Sequence, residues 1–246
     1  MSDVVGIDVG GTFTDLFYSR DGSHADRICK VPSTPEDPSA GLLDALNTAK
    51  VPSDDLALIL HGTTIATNAL IERIGAKCAL ITTKGFRDVL EMGRRDRPDF
   101  YGLTGKQNPL IPRNLRFEIN ERMTFKGEIR HKIDAGEVAA LAEQLKLENV
   151  AAIVVSLLHS YVNPAHEEQV AAILKDANPE WEIVTSAAMN REYYEFERTS
   201  TATIQAFLQP LIKGYAANLL QRLADWGFDK QTLVMQSNGG LVPAAQ

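Results

Sequence analysis

Two adjacent glycines, Gly10 and Gly11, constrain the fold more than any other feature of the sequence. They separate two apolar runs over residues 4–9 and 13–18, and a third run covers residues 27–31. Two β-forming runs joined by a glycine-rich turn are typical of a hairpin. The sequence therefore predicts that the chain opens with three strands and that the glycines form the first turn.

Beyond this opening, helix and strand patterns alternate. Helical patterns over 38–49 and 64–74 flank a strand pattern over 56–60, and a further strand pattern covers 78–83. Such alternation predicts parallel strands joined by helical crossovers. We therefore expect an α/β fold whose mixed sheet has three antiparallel strands followed by parallel βα units.

A βα insertion block is expected after Glu91. A polar stretch over 91–116 is long for a plain connector, and a two-stranded piece formed by 116–122 and 128–132 follows it. Helix and strand patterns then alternate as far as residue 185. This order predicts a second group of parallel strands.

A long amphipathic helix is predicted over 199–225, because apolar residues recur there at helical spacing. Thr199 or Ser200 is the expected N-cap, and Pro210 is a possible kink. We expect an exposed apolar strip on this helix, formed by Phe207, Leu211 and Tyr215.

Composition excludes several classes of protein. The 246 residues include 25 Lys plus Arg and 32 Asp plus Glu, a net charge of −7, which argues against a nucleic-acid partner. The longest apolar run is far shorter than the roughly 20 residues that a membrane helix needs. The start of the chain does not have the pattern of a signal peptide, and only two cysteines are present. These features predict a cytoplasmic protein without a membrane partner.

The glycine turn has the chemistry of a phosphate cradle. Glycines let backbone N–H groups approach an anion without a Cβ in the way, and the hydroxyls of Thr12 and Thr14 add donors. The carboxylate of Asp8 beside a phosphate points to Mg²⁺ between them. The turn is neither a P-loop, since it lacks lysine, nor a dinucleotide fingerprint. The alternative is an ordinary glycine hairpin in which Asp8 accepts hydrogen bonds within the turn.

A second motif covers residues 61–64. A strand is expected to end before it, with Gly62 making the turn and Thr63 or Thr64 capping the next helix. The free N–H groups of that helix then face the carboxyl edge of the sheet, where open α/β sheets bind ligands. Capping without a ligand is the alternative, and His61 is interpreted as a core histidine.

Charged residues near positions 94–99 and 195–199 have two interpretations each. Arg94, Arg95 and Arg97 form either a solvated cluster with nearby aspartates or a fork for a substrate carboxylate or carbonyl. Glu197 and Arg198 form either surface pairs or part of a site. The histidines at 159 and 166 do not have metal-ligand spacing and are interpreted as structural.

Together these motifs resemble the hydantoinase A/5-oxoprolinase family, which has the RNase H-like fold of the actin-like ATPases. The matching segments span nearly the whole chain, at 6–15, 61–70, 86–94, 97–99, 156–164, 194–201 and 235–240. The resemblance implies half of an actin-like ATPase fold. It also implies an N-terminal family domain over 1–190, which holds the first phosphate loop, and the start of a hydantoinase A domain over 191–246.

The resemblance implies an enzyme that uses ATP and Mg²⁺ to phosphorylate the oxygen of a cyclic amide before water opens the ring. The implied residues are Asp8 and Asp15 for catalysis, Asp8 for the metal, Gly10, Gly11, Thr12, Thr14, Gly62, Thr63 and Thr64 for the nucleotide, and Asn68, Arg94 and Arg97 for the substrate. The alternatives are part of an ATP-dependent ketone carboxylase, with a ketone substrate, and a non-catalytic interaction module.

The sequence departs from the family pattern in one respect. Actin-like ATPases hold the nucleotide between two halves, each with a phosphate loop, and this chain has one Asp-x-Gly-Gly-Thr segment. We therefore expect the chain to be incomplete and inactive alone, and to work with a second, hydantoinase B-type subunit or domain.

Overall fold

A computed structural model of the protein describes residues 3–21, 24–34, 37–94, 101–102 and 107–245. The strands in these residues are β1 (Asp3–Val9), β2 (Phe13–Ser19), β3 (Arg27–Pro32), β4 (Leu56–Thr63), β5 (Cys78–Thr83), β6 (Arg116–Ile119), β7 (Arg122–Met123), β8 (Ile129–His131), β9 (Ala152–Ser156), β10 (Glu182–Thr185), β11 (Gln231–Met235) and β12 (Leu241–Pro243). The α-helices are α1 (Pro38–Thr48), α2 (Ile65–Glu72), α3 (Val89–Met92), α4 (Ala135–Leu147), α5 (Ala165–Ala177), α6 (Ser186–Met189) and α7 (Glu195–Asp225).

The chain divides into two compact units. The first contains Met1–Glu72 and Leu211–Gln246, and the second contains Arg73–Pro210. The first unit is therefore built from two separate stretches of the sequence. The boundary expected at residue 190 separates two family domains along the sequence, which is a different division from that of the two compact units. It stays a prediction.

The first unit is built on a six-stranded sheet in the order β12-β11-β4-β1-β2-β3. Strands β1, β2 and β3 are antiparallel neighbours, while β4 is parallel to β1 and β11 is parallel to β4. This arrangement confirms the predicted mixed sheet. One face of the sheet is buried in a core that includes residues of α1 and α7, because every second residue of β1 from Val5 to Val9 is apolar and points to that face.

The second unit is built on a four-stranded parallel sheet in the order β10-β9-β5-β6. Strand β5 belongs to this sheet, so the inserted block begins before Cys78 and the expected start after Glu91 is wrong. The two-stranded piece predicted from 116–122 and 128–132 is smaller than expected. Strand β6 lies parallel to β5 in the larger sheet, and β7 (Arg122–Met123) pairs with β8 (Ile129–His131). Strands β5 and β9 are buried at every position, so their apolar pattern does not show which sheet they join.

Helix α7 begins earlier than predicted. It starts at Glu195, so Thr199 lies inside the helix, where it is buried and its hydroxyl is 2.7 Å from that of Ser156. Pro210 lies within the helix. Phe207 is 7% exposed, so the expected exposed strip is wrong at that residue. In the described part of the chain, no helix has both the length and the hydropathy to cross a bilayer.

Candidate functional site

The turn between β1 and β2 is fixed by three hydrogen bonds. The Gly10 N–H donates to the Phe13 carbonyl at 3.1 Å, and the Ser33 N–H donates to the Thr12 carbonyl at 2.9 Å. The Ser33 hydroxyl donates to the Gly10 carbonyl at 2.7 Å. Ser33, the residue that follows β3, therefore anchors the turn, and no sequence motif pointed to it.

Two backbone donors of the turn are unpaired. Within the described ranges, the N–H groups of Gly11 and Thr12 donate to no other group, and both residues are exposed. A Cβ at Gly11 would lie 3.4 Å from the side-chain nitrogen of Asn68. The structure thus places the predicted residue Asn68 beside the turn, with a narrow space above Gly11.

Thr14 lies inside the first unit instead of at the surface of the turn. Its side chain is fully buried, and its hydroxyl is 3.0 Å from the Ser33 hydroxyl. The Thr12 side chain, by contrast, is on the exposed part of the turn. The two threonines of the motif therefore occupy different environments: one faces solvent and the other supports the anchoring serine.

Asp8 and Asp15 lie opposite each other on β1 and β2 and share one face of the sheet. The two carboxylate oxygens of Asp15 accept hydrogen bonds from the Lys30 ammonium at 2.8 and 2.9 Å. Asp8 is exposed and has no ion pair with any described residue. Of the two carboxylates, Asp8 therefore keeps its charge unbalanced.

Gly62 is the neighbour of Asp8 on β4. The strand continues through Thr63, so Gly62 does not make the predicted turn. A Cβ at Gly62 would lie 3.0 Å from the Oδ1 atom of Asp8, a tight contact that the carboxylate could relieve only by moving a few tenths of an ångström. Glycine at this position therefore lets the Asp8 carboxylate lie close to the backbone of β4.

The start of α2 lies at the same edge as the turn. The Thr63 hydroxyl accepts a hydrogen bond from the Ile65 N–H at 3.3 Å, and the Thr64 hydroxyl accepts one from the Asn68 amide at 3.3 Å. Thr63 is the register partner of Val9, the last residue of β1. Thr63 or Thr64 was predicted to cap this helix; the Thr63 hydroxyl binds the first N–H group of α2 from the position before the N-cap. The first unit thus brings together the predicted residues from β1, β4 and α2.

His61 lies behind this edge, on the buried face of the sheet. It is fully buried, and its Nε2 atom is 2.7 Å from the hydroxyl oxygen of Tyr215 on α7. Burial lowers the pKa of His61 to about 4 and raises the pKa of Tyr215. The interpretation of His61 as a core histidine is confirmed, but its partner Tyr215 was not predicted.

Of the arginines predicted to bind the substrate, only Arg94 lies within the described residues. Arg94 belongs to the second unit, where its Nε atom is 2.7 Å from the Oε1 atom of Glu197. The hydrogen bond from Arg94 lowers the pKa of Glu197. Arg95 and Arg97 lie outside the described residues.

Arg198 is fully buried in the second unit, so the expectation that it forms surface pairs is wrong. Its guanidinium donates to the carbonyls of Leu157 and Glu192, each at 2.9 Å, and to the Ser186 hydroxyl at 3.1 Å. The Ser186 hydroxyl in turn donates to Glu167 at 2.6 Å. Burial raises the pKa of Glu167 and lowers that of Arg198.

The histidine at 166 is structural, as predicted. It is 4% exposed, and its Nδ1 atom is 2.6 Å from the Oε2 atom of Glu121. The other oxygen of Glu121 bonds the Thr83 hydroxyl at the end of β5. In the part of the chain that the structure describes, no group of three or more His, Cys, Asp or Glu side chains is arranged to hold a metal ion.

The sequence pattern of the hydantoinase/oxoprolinase N-terminal region matches residues 4–178. The chain belongs to the hydantoinase/oxoprolinase family. The pattern of the hydantoinase/oxoprolinase region that follows matches residues 198–246. The resemblance of the sequence motifs to this family is thereby confirmed.

Three curated relatives match almost the whole chain. An uncharacterised protein of Methanocaldococcus jannaschii is 43% identical over 96% of the chain and 35% of its own length. The caprolactamase subunit alpha of Pseudomonas jessenii is 32% identical over 97% of the chain and 36% of its own length. The acetophenone carboxylase gamma subunit of Aromatoleum aromaticum is 32% identical over 96% of the chain and 35% of its own length. The chain thus spans about a third of the length of these relatives.

Two solved structures share the fold. The ATP-dependent caprolactamase of Pseudomonas jessenii matches with a TM-score of 0.86 and 31% identity, over 98% of this chain and 36% of that one. Acetone carboxylase in its nucleotide-free form matches with a TM-score of 0.84 and 25% identity, over 99% of this chain and 37% of that one. The α/β fold with a mixed sheet is therefore that of this family.

Proposed function

We propose that this chain is the N-terminal part of an ATP-dependent hydrolase of cyclic amides, of the hydantoinase/5-oxoprolinase type. The observation that carries the proposal is the edge of the first unit, where the turn with the unpaired N–H groups of Gly11 and Thr12 directly follows the strand that carries the unbalanced carboxylate of Asp8. Such N–H groups favour a phosphate, and such a carboxylate favours a cation. The ATP-dependent relatives support this combination.

The residues present fit a phosphate group with its magnesium ion. Gly11 and Thr12 would bind phosphate oxygens through backbone N–H groups, and the Thr12 hydroxyl adds a donor at the surface. Asp8 would hold Mg²⁺ directly or through water, since magnesium in proteins keeps several waters and one or two carboxylates. When bound, ATP would supply the phosphoryl group that makes the amide carbon more electrophilic towards water.

The other predicted residues of the first unit have supporting roles in this proposal. Gly62 leaves room for the Asp8 carboxylate, and Thr63 and Thr64 shape the start of α2 at the same edge. Asp15, which is paired with Lys30, is proposed as the second catalytic carboxylate beside Asp8. Gly10 and Thr14 hold the turn in place through Phe13 and Ser33.

Substrate, partner and location are further parts of the proposal. Asn68, Arg94 and Arg97 are proposed to contact a cyclic amide, and for Arg94 this requires exchange of its bond to Glu197. A second, hydantoinase B-type subunit is supported by the relatives that are named as subunits. A cytoplasmic location is supported by the two free cysteines.

Ketone carboxylation is the second candidate, because the chain is equally identical to the carboxylase subunit and to the caprolactamase subunit. Release of ADP by the full-length protein with caprolactam or 5-oxoproline would favour the hydrolase. ADP release that requires a ketone and bicarbonate together would favour the carboxylase. ATP-independent binding to another protein, without ADP release, would favour the interaction module.

Two variants test the phosphate site in the full-length protein. Gly11→Val places a branched side chain beside Asn68, and Asp8→Ala removes the carboxylate. Each is expected to lower MgATP turnover by at least about 10²-fold, the effect of losing one preorganised electrostatic contact. Gly214→Ala, in open space on α7, is the matched control. Wild-type turnover in both variants would contradict the assignment.

The 246-residue chain alone is proposed to bind phosphate from one side and not to turn over ATP. Phosphoryl transfer depends on positioning and on charge stabilisation around the whole transferred group. Turnover by the purified chain of about 1 per second, an ordinary enzyme rate, would contradict this part of the proposal.

A further inference from the structure

A buried hydrogen-bonded pair lies directly behind the proposed phosphate site. His61 of β4 and Tyr215 of α7 are joined at 2.7 Å, with ring centroids 5.7 Å apart. His61 is fully buried, so it cannot touch a bound nucleotide. A polar pair of this kind in an apolar core costs free energy when either partner is left alone.

The pair is connected to the site by the alternation of side chains along β4. His61 and Thr63 point to the buried face, and Gly62 between them points to the face that carries Asp8. The Thr63 side chain lies near enough to the Tyr215 hydroxyl to oppose the effect of burial on the pKa of Tyr215. The Tyr215 hydroxyl thus contacts His61 and lies close to Thr63 at the end of β4.

Small displacements of β4 would change the site. Gly62 and the Asp8 carboxylate lie close together, since a group at the Cβ position of Gly62 would be 3.0 Å from the Asp8 Oδ1 atom. Thr63 orients the first N–H group of α2 at 3.3 Å, and Asn68 of the same helix lies next to Gly11. The end of β4 therefore sets the distances between Asp8, α2 and the turn.

We propose that His61 and Tyr215 are positioning residues for the phosphate site, and that their hydrogen bond fixes the carboxyl end of β4 beneath Asp8 and α2. This inference rests on the proposed function, since it concerns the same site. Without the Tyr215 hydroxyl, the Nε2 atom of His61 would have no partner, which favours any movement of β4 that admits water.

Tyr215→Phe tests the inference because it removes one oxygen and keeps the ring. The matched control is Tyr18→Phe, since Tyr18 is 1% exposed and its hydroxyl bonds Asp3 at the far end of the same sheet. Both variants lose one hydroxyl bond from the first unit. The two readouts are amide hydrogen exchange of residues 62–68 and the affinity for MgATP.

Tyr215→Phe is expected to speed exchange at residues 62–68 and to weaken MgATP binding about tenfold, the effect of losing one buried hydrogen bond. Tyr18→Phe is expected to lower the urea midpoint and to change neither readout. If Tyr215→Phe does not fold, His61→Leu removes the same hydrogen bond from its other partner on β4, and the same two readouts are measured.

Equal effects of the two tyrosine variants on both readouts would overturn the inference, because the pair would then be a structural bond like any other. Unchanged exchange and affinity in Tyr215→Phe would also overturn it. If the wild-type protein does not bind MgATP, the proposed function is overturned, and the inference with it. This outcome differs from the first two, in which the wild type binds MgATP and only the inference fails.

Discussion

The stability of this protein should fall in mildly acidic solution because a buried histidine must stay neutral. Burial lowers the pKa of His61 to about 4, from 6.5 in an exposed chain. Between these values the unfolded chain binds a proton that the folded chain does not bind. The difference of about 2.5 between the pKa of His61 in the unfolded chain and in the folded chain corresponds to about 3 kcal/mol of unfolding free energy.

The sign of the effect follows from the direction of the shift. Because the folded pKa is the lower one, the contribution is fully present above pH 6.5 and is lost as the pH falls towards 4. Carboxylates with lowered pKa values, such as Asp37 and Asp88, lose their contributions in more acidic solution. Burial raises the pKa of Glu167, and its effect on stability has the opposite sign, so the contribution of His61 must be isolated by comparison with a variant that lacks this histidine.

His61→Gln isolates the effect, because glutamine does not titrate. Urea unfolding of the 246-residue chain, followed by fluorescence at pH 7.5 and pH 4.5, gives the free energy of unfolding of each protein. The wild type should lose about 2 to 3 kcal/mol more than the variant between these pH values. Equal losses in the two proteins would refute the reasoning, since all other titrating groups are shared.

Three further substitutions have expected outcomes that urea unfolding can measure. Gly75→Ala should destabilise the second unit by about 1 to 3 kcal/mol, because the new Cβ would lie 2.6 Å from two atoms of the Phe207 ring. An unchanged urea midpoint would contradict this contact. Gly214→Ala should stabilise the protein by up to about 1 kcal/mol, since the position is helical with open space around it, and a loss of stability would contradict that. Arg198→Met should cost about 3 kcal/mol, because it leaves the Leu157 and Glu192 carbonyls and the Ser186 hydroxyl without their buried donor. A neutral result would show that the guanidinium is not needed.

The opening of the fold could be predicted from local sequence. The runs around Gly10 and Gly11 alternate with the period of strands, and the bond from the Gly10 N–H to Phe13 that closes the turn joins near neighbours. The bond between Thr63 and the first N–H group of α2 is also local, since it reaches two residues along the chain. Local patterns therefore identified this edge of the sheet.

Other features depend on residues far apart in sequence and could not be predicted. Gly62 was interpreted as a turn because glycine usually interrupts a strand, but its place is set by the Asp8 side chain on another strand. Tyr215 is 154 residues from His61, and its position on an amphipathic helix gave no sign of a polar partner. Surface pairs were one of two interpretations of Arg198, since most arginines are exposed, but its acceptors come from three other segments.

The discontinuous first unit has a consequence for synthesis of the chain. Strand β4 is translated well before β11, which pairs with it from Gln231 onward, and the whole of residues 73–210 is made in between. The second unit is continuous in sequence and can complete its parallel sheet as it emerges from the ribosome. Until β11 arrives, the nascent β4 presents a free edge of backbone donors and acceptors, the kind of edge that promotes association between chains. Slowing translation after residue 210 should therefore prolong the period in which the nascent chain needs protection by a chaperone.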